Sequence, residues 1–184
     1  DKNIFTPIIR KEIRQSEPSE RNYYTVYLPA YNDEKVKKHL HKFKDIRWEV
    51  FSKEVKSRTT EKNVTLFPVE SKAFHKSLVN CKGIITAAGF GATTEALYLK
   101  KKLLVIPQKA KFEQQYNGAM LKDMGVTVVK RLKSKHHEKI EDWLINGKPI
   151  EVDYADNAKE IIEVVTSAKH KPAFVQLPEN FPAL

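Results

Sequence analysis

A glycine-rich segment near the middle of the chain carries residue types that bind phosphate groups. Residues 88–97 read AGFGATTEAL, between a predicted strand at 83–88 and a predicted helix at about 93–99. Glycine permits positive φ and lets a ligand approach the backbone, and amides at a helix N-terminus attract anions. We therefore expect the amides at about 91–94, with the hydroxyls of Thr93 and Thr94, to bind a phosphate. The alternative is a glycine-rich turn with a threonine N-cap.

Two common phosphate-binding motifs do not describe this segment. In the dinucleotide pattern GxGxxG the third glycine would stand at Thr94, and the segment would follow the first strand, whereas here it follows the fourth. The P-loop pattern requires Gly-Lys-Ser or Gly-Lys-Thr, and neither occurs in the chain. Both motifs are therefore excluded.

Polar side chains that suit the hydroxyl groups of a ribose or another sugar follow at two further places. Glu95, one turn into the helix, has a carboxylate that can accept two hydrogen bonds from a ribose diol, or can simply offset the helix dipole. Glu113, Gln114 and Gln115 open the next predicted helix, at about 113–124. Their oxygens and amides suit the hydroxyl groups of a sugar, and a solvated first turn is the alternative.

Alternating strands and helices must position these residues. We predict strands at 23–28, 46–51, 64–67, 83–88, 103–106 and 126–129, and helices at about 33–43, 71–79, 93–99, 113–124, 136–146 and 156–168. The alternation predicts a Rossmann-like α/β fold with three layers, α/β/α, around a mostly parallel sheet of about six strands. With strand order 3-2-1-4-5-6, ligands bind between the first and fourth strands, where residues 29–32 and 87–95 would lie.

Composition excludes several classes of protein. The 184 residues are 41% hydrophobic, which excludes a disordered chain, and a single cysteine excludes an internal disulfide framework and a Cys-rich zinc site. His136 and His137 are adjacent on a predicted helix and point in different directions, so we expect no metal. The net charge of +10 favours anionic partners, but the lysines are dispersed and no nucleic-acid-binding motif accompanies them. We expect a cytoplasmic protein that does not bind nucleic acid.

The stretch from Ile85 to Gly125 resembles the donor-binding core of GT-B glycosyltransferases, which have two Rossmann-like domains. These enzymes include the peptidoglycan N-acetylglucosaminyltransferases and the UDP-glucuronosyl and macrolide transferases. The shared order is Gly-x-Gly, Glu-Ala, an apolar strand ending in proline, glutamines, asparagine, leucine and glycine. It is carried here by Gly89, Gly91, Glu95-Ala96, Ile106-Pro107, Gln114-Gln115, Asn117, Leu121 and Gly125. Gly118 replaces the alanine that is usual in the family.

The resemblance implies a role for each matching segment. Gly89, Phe90, Gly91, Ala92, Thr93 and Thr94 would bind the donor diphosphate, and Glu95 would bind the ribose. The sugar would contact Glu113, Gln114 and Gln115, and the nucleobase would contact Leu66, Phe67 and Pro68. The first loop, with Ala30, Tyr31 and Asn32, would face the diphosphate.

The resemblance also implies how the chain is organised. Residues 1–22 would be an interdomain linker or N-terminal extension, residues 23–169 the nucleotide-sugar-binding domain, and residues 170–184 a tail packed on the surface or on a missing lobe. That N-terminal lobe would bind the acceptor and supply the catalytic base. The chain is then predicted to be the donor-binding half of a hexosyltransferase that uses a UDP-sugar and no metal or other cofactor, inactive alone.

Two other functions remain as alternatives at this point. One is a nucleotide-sugar epimerase-like module, and the other is a noncatalytic nucleic-acid-binding domain. The basic composition also leaves an anionic membrane surface open as a peripheral partner.

Overall fold

The structure is a computed structural model, which describes residues 4–167 of the chain. Its sheet has the strand order β3-β4-β2-β1-β5-β6-β7. The strands are β1 (Tyr24–Tyr27), β2 (Trp48–Ser52), β3 (Thr59–Glu61), β4 (Val64–Pro68), β5 (Gly83–Thr86), β6 (Lys102–Val105) and β7 (Thr127–Val128). The helices are α1 (Lys11–Arg14), α2 (Asp33–Leu40), α3 (Ser71–Asn80), α4 (Phe90–Tyr98), α5 (Phe112–Asp123), α6 (His137–Asn146) and α7 (Ala158–Ser167).

The predicted fold class is confirmed, with one additional strand. All strands except β3 pair in parallel, and their order is the predicted 3-2-1-4-5-6. The predicted number of about six strands is corrected to seven by β3, which pairs antiparallel with β4 at the edge of the sheet. Its three residues are all exposed, so no alternation of apolar and polar side chains marked it in the sequence.

Helices cover both faces of the sheet, as a largely parallel sheet requires. On one face α2 and α6 pack against Tyr24 and Trp48, and the Trp143 ring of α6 lies 5.2 Å from the Tyr24 ring. On the other face α3, α4 and α5 enclose a second core that includes the buried Cys81. Burial raises the pKa of the Cys81 thiol, so this cysteine is a small core residue and not an activated nucleophile.

The described residues form two compact units. Residues 9–154 form the unit that carries the sheet, and residues 4–8 and 155–167 belong to the other. In the smaller unit, the Asn157 side chain donates a hydrogen bond to the Thr6 hydroxyl at 2.9 Å, just before α7. In the larger unit, Ile9 and Ile13 from the predicted linker are buried in the core. The predicted tail at 170–184 lies outside the described residues, and the predicted domain boundaries stay a prediction.

Within residues 4–167, no helix has the length and apolar character needed to cross a lipid bilayer.

Candidate functional site

The glycine-rich segment lies where the strand order reverses. We call residues 87–92 the glycine loop; it comprises the turn after the carboxyl end of β5 and the first three residues of α4. The neighbour of β5 on one side is β1, paired from Tyr24 with Gly83 to Tyr27 with Thr86. The Thr86 hydroxyl donates to the Tyr27 carbonyl at 3.2 Å and joins the two strand ends. Ligands of open α/β sheets bind at this position.

The N-terminus of α4 presents unpaired amide groups. The helix begins at Phe90 with Gly89 as its N-cap, and no side chain caps it. The first intrahelical acceptor is the Gly89 carbonyl, which Thr93 reaches with its amide at 3.4 Å. The amides of Phe90, Gly91 and Ala92 precede it and have no acceptor within the helix. The predicted range of 91–94 is corrected accordingly, and Thr93 is a helical residue and not the N-cap.

The two glycines of the loop leave the space beside the backbone open. A Cβ atom added at Gly89 or Gly91 would meet nothing within 4 Å. Gly89 has φ −78°, and among the described glycines only Gly125 has a positive φ. The expectation of positive φ in the loop was therefore wrong. Close approach of a ligand is the property that these glycines provide.

The two threonine hydroxyls of α4 are used within the helix itself. Thr93 donates to the carbonyl oxygens of Gly89 and Phe90 at 2.8 and 2.9 Å. Thr94 donates to Phe90 and Gly91 at 2.9 and 3.0 Å. Each hydroxyl has a single proton, so the donors free for an anion are the backbone amides. Binding by Thr93 and Thr94 stays a prediction.

Glu95 is buried and paired with a cation from the predicted linker. Its side chain is 6% exposed and accepts hydrogen bonds from Arg10 Nε at 2.5 Å and Arg10 Nη2 at 2.7 Å. This bidentate bond to Glu95 is the main reason why the pKa of Arg10 is raised. Sequence reasoning missed Arg10, because a charged residue in a linker carries no motif. Its place directly after Pro7-Ile8-Ile9 is a weak signal.

The start of α5 is fixed to the loop that follows β6. Gln114 Oε1 accepts from the Gln108 amide at 3.0 Å, and Gln115 Nε2 donates to the Gln108 carbonyl at 2.9 Å. Asn117 Nδ2 donates to the Ala88 carbonyl at 3.1 Å, which connects α5 directly to the glycine loop. The structure thus brings α5 beside the loop. A sugar-binding role for Glu113, Gln114 and Gln115 stays a prediction.

Packing explains why residue 118 is glycine and not the alanine expected from the sequence pattern. A Cβ atom at this position would lie 2.6 Å from Pro107 Cγ and 3.9 Å from Ala88 Cβ. Van der Waals contact between carbons requires about 3.5–4 Å. The glycine therefore lets α5 approach the end of β6 and the glycine loop closely.

The first loop lies between β1 and α2. Asn32 is the N-cap of α2 and accepts from the Lys35 amide at 2.9 Å. The Tyr31 hydroxyl accepts from the Leu132 amide at 3.1 Å, in the segment after β7. Ala30, which precedes Tyr31 in the chain, is exposed. Contact of Ala30, Tyr31 and Asn32 with a diphosphate stays a prediction.

The predicted nucleobase segment lies at the carboxyl end of β4. Leu66 is buried in the core, and Phe67 and Pro68 are half-buried. The Phe67 ring stacks on Phe51 at 5.4 Å, and the Arg58 guanidinium lies 5.3 Å from the centre of the Phe67 ring. The exposed part of this apolar surface lies at the same edge of the sheet as the glycine loop, because β4 and β5 run in the same direction. Nucleobase binding stays a prediction.

One histidine pair lies apart from these segments. His39 Nδ1 and His137 Nε2 are 2.7 Å apart, so one nitrogen donates and the other accepts. Burial is the main cause that lowers the pKa of each ring, and the neighbouring His137 further lowers the pKa of His39. No group of three or more His, Cys, Asp or Glu side chains within residues 4–167 is arranged to hold a metal ion.

A family model described as Glycosyl transferase family 1 matches residues 1–147. A sequence comparison with curated proteins returned no match.

Solved structures share the fold at low sequence identity. Glycosyltransferase VinC, solved in complex with dTDP, is 12% identical with a TM-score of 0.53, over 76% of this chain and 37% of VinC. The NMR structure of ALG13 is 14% identical with a TM-score of 0.53, over 78% of this chain and 95% of ALG13. UGT89C1 of Arabidopsis thaliana, solved with UDP, is 15% identical with a TM-score of 0.50, over 85% of this chain and 45% of UGT89C1. This chain therefore spans less than half the length of VinC and UGT89C1.

Proposed function

Because the chain belongs to glycosyl transferase family 1, we propose that it is the donor-binding part of a GT-B glycosyltransferase that uses a UDP-sugar. The observation that carries this proposal is the open N-terminus of α4. The amides of Phe90, Gly91 and Ala92 lack helical acceptors, and the space beside Gly89 and Gly91 is empty. A diphosphate placed there would accept hydrogen bonds from the amides and interact favourably with the helix dipole.

The same amides would act in catalysis. When the bond between the sugar and the nucleoside diphosphate breaks, negative charge grows on the leaving diphosphate. Donors that are already oriented toward that charge stabilise it more in the transition state than in the bound donor. Oriented backbone amides and a helix dipole meet this requirement without a metal ion, which agrees with the proposal that no cofactor is needed.

Ribose binding by Glu95 is compatible with its bond to Arg10. A carboxylate has two oxygens with about four lone-pair positions, and Arg10 uses one position on each oxygen. The remaining positions can accept the two ribose hydroxyls. Arg10 would then hold the carboxylate in place while the nucleotide binds.

Support for a nucleoside diphosphate also comes from VinC and UGT89C1, which were solved with dTDP and UDP. We propose UDP because the sequence pattern resembles UDP-sugar transferases. An N-terminal lobe would bind the acceptor and supply the catalytic base. This chain alone would therefore bind the donor without transferring the sugar. Cytoplasmic location, with access to an anionic membrane surface, is part of the same proposal.

Calorimetry tests the proposal directly. We expect UDP to bind the chain in the presence of EDTA, and uridine, which lacks the diphosphate, to bind at least about tenfold more weakly. The ribose role has its own test. The preference for UDP over 2′-deoxy-UDP should be smaller in Glu95→Gln than in the wild type. The absence of heat with every nucleoside diphosphate would reject the proposed function.

A further inference from the structure

A strongly basic groove lies at the β7 edge of the sheet, apart from the glycine loop. It is a groove of ≈ 360 Å³ between α5, the ends of β6 and β7, and α6. We call it the basic groove. Its cationic side chains are Lys109, Lys122, Lys130, Arg131 and Lys139. The remaining lining is uncharged and consists of Pro107, Gln115, Gly118, Ala119 and Val128.

The charges of the basic groove are not neutralised by the protein. No Asp or Glu lines it. Among the described residues, the ion pairs of lysine and arginine involve Arg10, Lys37, Lys100 and Lys159, and none of the five groove cations. Lysines on ordinary surfaces are separated or paired with acids. Five unpaired cations around one concave surface produce a focused positive potential.

The pKa of His136, which lies next to the basic groove in the sequence, is affected by the same positive charges. The pKa of His136 is lowered, first by burial and then by the charges of Lys135, Lys139, Lys133 and Lys130. Two of these lysines, Lys130 and Lys139, belong to the basic groove. Positive charge is therefore concentrated across the β7–α6 segment.

The basic groove shares an edge of the sheet with the glycine loop. Both follow the carboxyl ends of parallel strands, and β5 and β7 are separated by two strand spacings, or ~10 Å. Helix α5 lies between the two sites. Its Asn117 contacts Ala88 of the glycine loop, whereas Gln115 and Lys122 line the basic groove. A ligand in the groove would thus lie beside a donor diphosphate at the glycine loop without occupying its place, while Gln115, a predicted contact of the donor sugar, borders the groove.

We infer that the basic groove binds a phosphate or diphosphate group carried by the acceptor, while the rest of the acceptor would bind the N-terminal lobe. The groove would then be a second phosphoryl site, separate from the site of the donor diphosphate. The assignment to the acceptor rests on the proposed function. The groove volume lies in the range of small-molecule sites, and an arginine flanked by lysines can bind phosphate oxygens through several charge-assisted hydrogen bonds. The acceptor chemistry that fits is therefore a phosphorylated or diphosphate-linked compound.

The test uses inorganic diphosphate as the probe and the full chain at 0.15 M salt, where distant surface charges are screened. Calorimetry is performed on protein saturated with UDP. The test variant combines Lys130→Gln with Arg131→Gln, and the control combines Lys44→Gln with Lys56→Gln, which removes the same charge from exposed positions elsewhere. Circular dichroism establishes that both variants are folded.

We expect wild type to bind diphosphate alongside UDP. The test variant should bind it about tenfold or more weakly, with unchanged UDP affinity, and the control within about twofold. Equal weakening in the two variants, displacement of UDP by diphosphate, or no binding to wild type would each overturn the inference. If UDP fails to bind but diphosphate binding is lost in the test variant alone, the groove is upheld as a phosphoryl site and the donor proposal fails.

A second experiment, with lipid vesicles, distinguishes an acceptor from a lipid headgroup as the source of the phosphoryl group. Flotation is measured with phosphatidylcholine vesicles with and without phosphatidic acid. If the site serves the acceptor, the test variant and the control float to the same extent. Flotation that depends on phosphatidic acid and is lost only in the test variant would overturn the acceptor assignment in favour of a lipid headgroup.

Discussion

Replacement of Gly91 by leucine separates ligand binding from folding. The position is the second residue of α4, and a Cβ atom there meets open space. Leucine is a better helix former than glycine by roughly 0.5–0.8 kcal/mol, so the variant should be slightly more stable. Side chains in a helix lean toward its N-terminus. The leucine side chain would therefore lie over the amides that we propose for the diphosphate.

The expected loss of binding follows from the number of hydrogen bonds blocked. A hydrogen bond to a charged group contributes about 1.5–3 kcal/mol. At about 1.4 kcal/mol for each factor of ten, blocking a single amide weakens UDP binding roughly 10- to 150-fold. The variant should thus gain a degree or two in Tm and lose at least about one order of magnitude in affinity.

The assay is calorimetric titration with UDP, together with thermal unfolding. Gly83→Ala is the control, because it should lower stability and leave UDP affinity unchanged. A Cβ atom at Gly83 would lie 2.7 Å from the Lys102 carbonyl oxygen, in the centre of the sheet. Overpacking of this kind costs about 1–3 kcal/mol, whereas the folded fraction should bind UDP normally. Wild-type UDP affinity in Gly91→Leu would refute the assignment of the diphosphate to these amides.

Three further predictions concern the pairings around the site and the absence of a metal. Arg10→Ala leaves the buried Glu95 carboxylate without its partner, and because the Arg10 side chain is 47% exposed, urea unfolding should show a loss of about 1–3 kcal/mol and not more. The lowered pKa values of His39 and His137 mean that the unfolded chain binds more protons below pH ~6.5. Stability should therefore fall as the pH drops from 7.5 to 5.5, by at most about 1.4 kcal/mol per pH unit for each additional proton, and urea titrations at the two pH values measure it. Removal of divalent ions by EDTA should leave the calorimetric affinity for UDP unchanged.

Each of these predictions has a control or an outcome that would contradict it. Glu151→Gln removes an ion pair with Lys100 whose side chains are 77% and 60% exposed, and it should change stability by less than about 0.5 kcal/mol. An equal loss in Arg10→Ala and Glu151→Gln would contradict the importance of burial. His137→Gln should reduce the pH dependence, and an unchanged pH dependence in this variant would contradict the role of the His137 ring. If Mg²⁺ restored UDP affinity lost in EDTA, the donor site would need a metal.

The parallel sheet was predictable because its strands carry a strong signal. Buried strands such as Gly83–Thr86 and Lys102–Val105 are short runs rich in β-branched residues and leucine, bounded by glycine or proline. The strand Thr59–Glu61 carries no such signal. Its side chains are exposed, and only its backbone pairing with β4 defines it.

The candidate site was predictable in position but not in detail. The order of motifs located the glycine loop, because the end of the fourth strand coincides with the reversal of strand order. The start of α4 was predicted three residues late, since glycine disfavours a helix by propensity, and yet Gly89 is the N-cap of α4 and Gly91 lies in its first turn. The bond from Arg10 to Glu95 joins residues 85 positions apart, and no local pattern reports a contact of that kind.

The same limit applies to the basic groove. Its lysines and arginine come from four separate segments of the chain, and each segment reads as an ordinary solvated surface. Only the packing of α5 and α6 around the end of β7 brings them together. Composition indicated an anionic partner and could not locate where that partner would bind.

Backbone amide NMR tests the central claim most directly. In ¹⁵N-labelled protein titrated with UDP, the amides of Phe90, Gly91 and Ala92 should shift most strongly, and titration with uridine should leave them almost unchanged. The account is contradicted if UDP binds and these three amides do not respond, or if the strongest shifts lie in the basic groove.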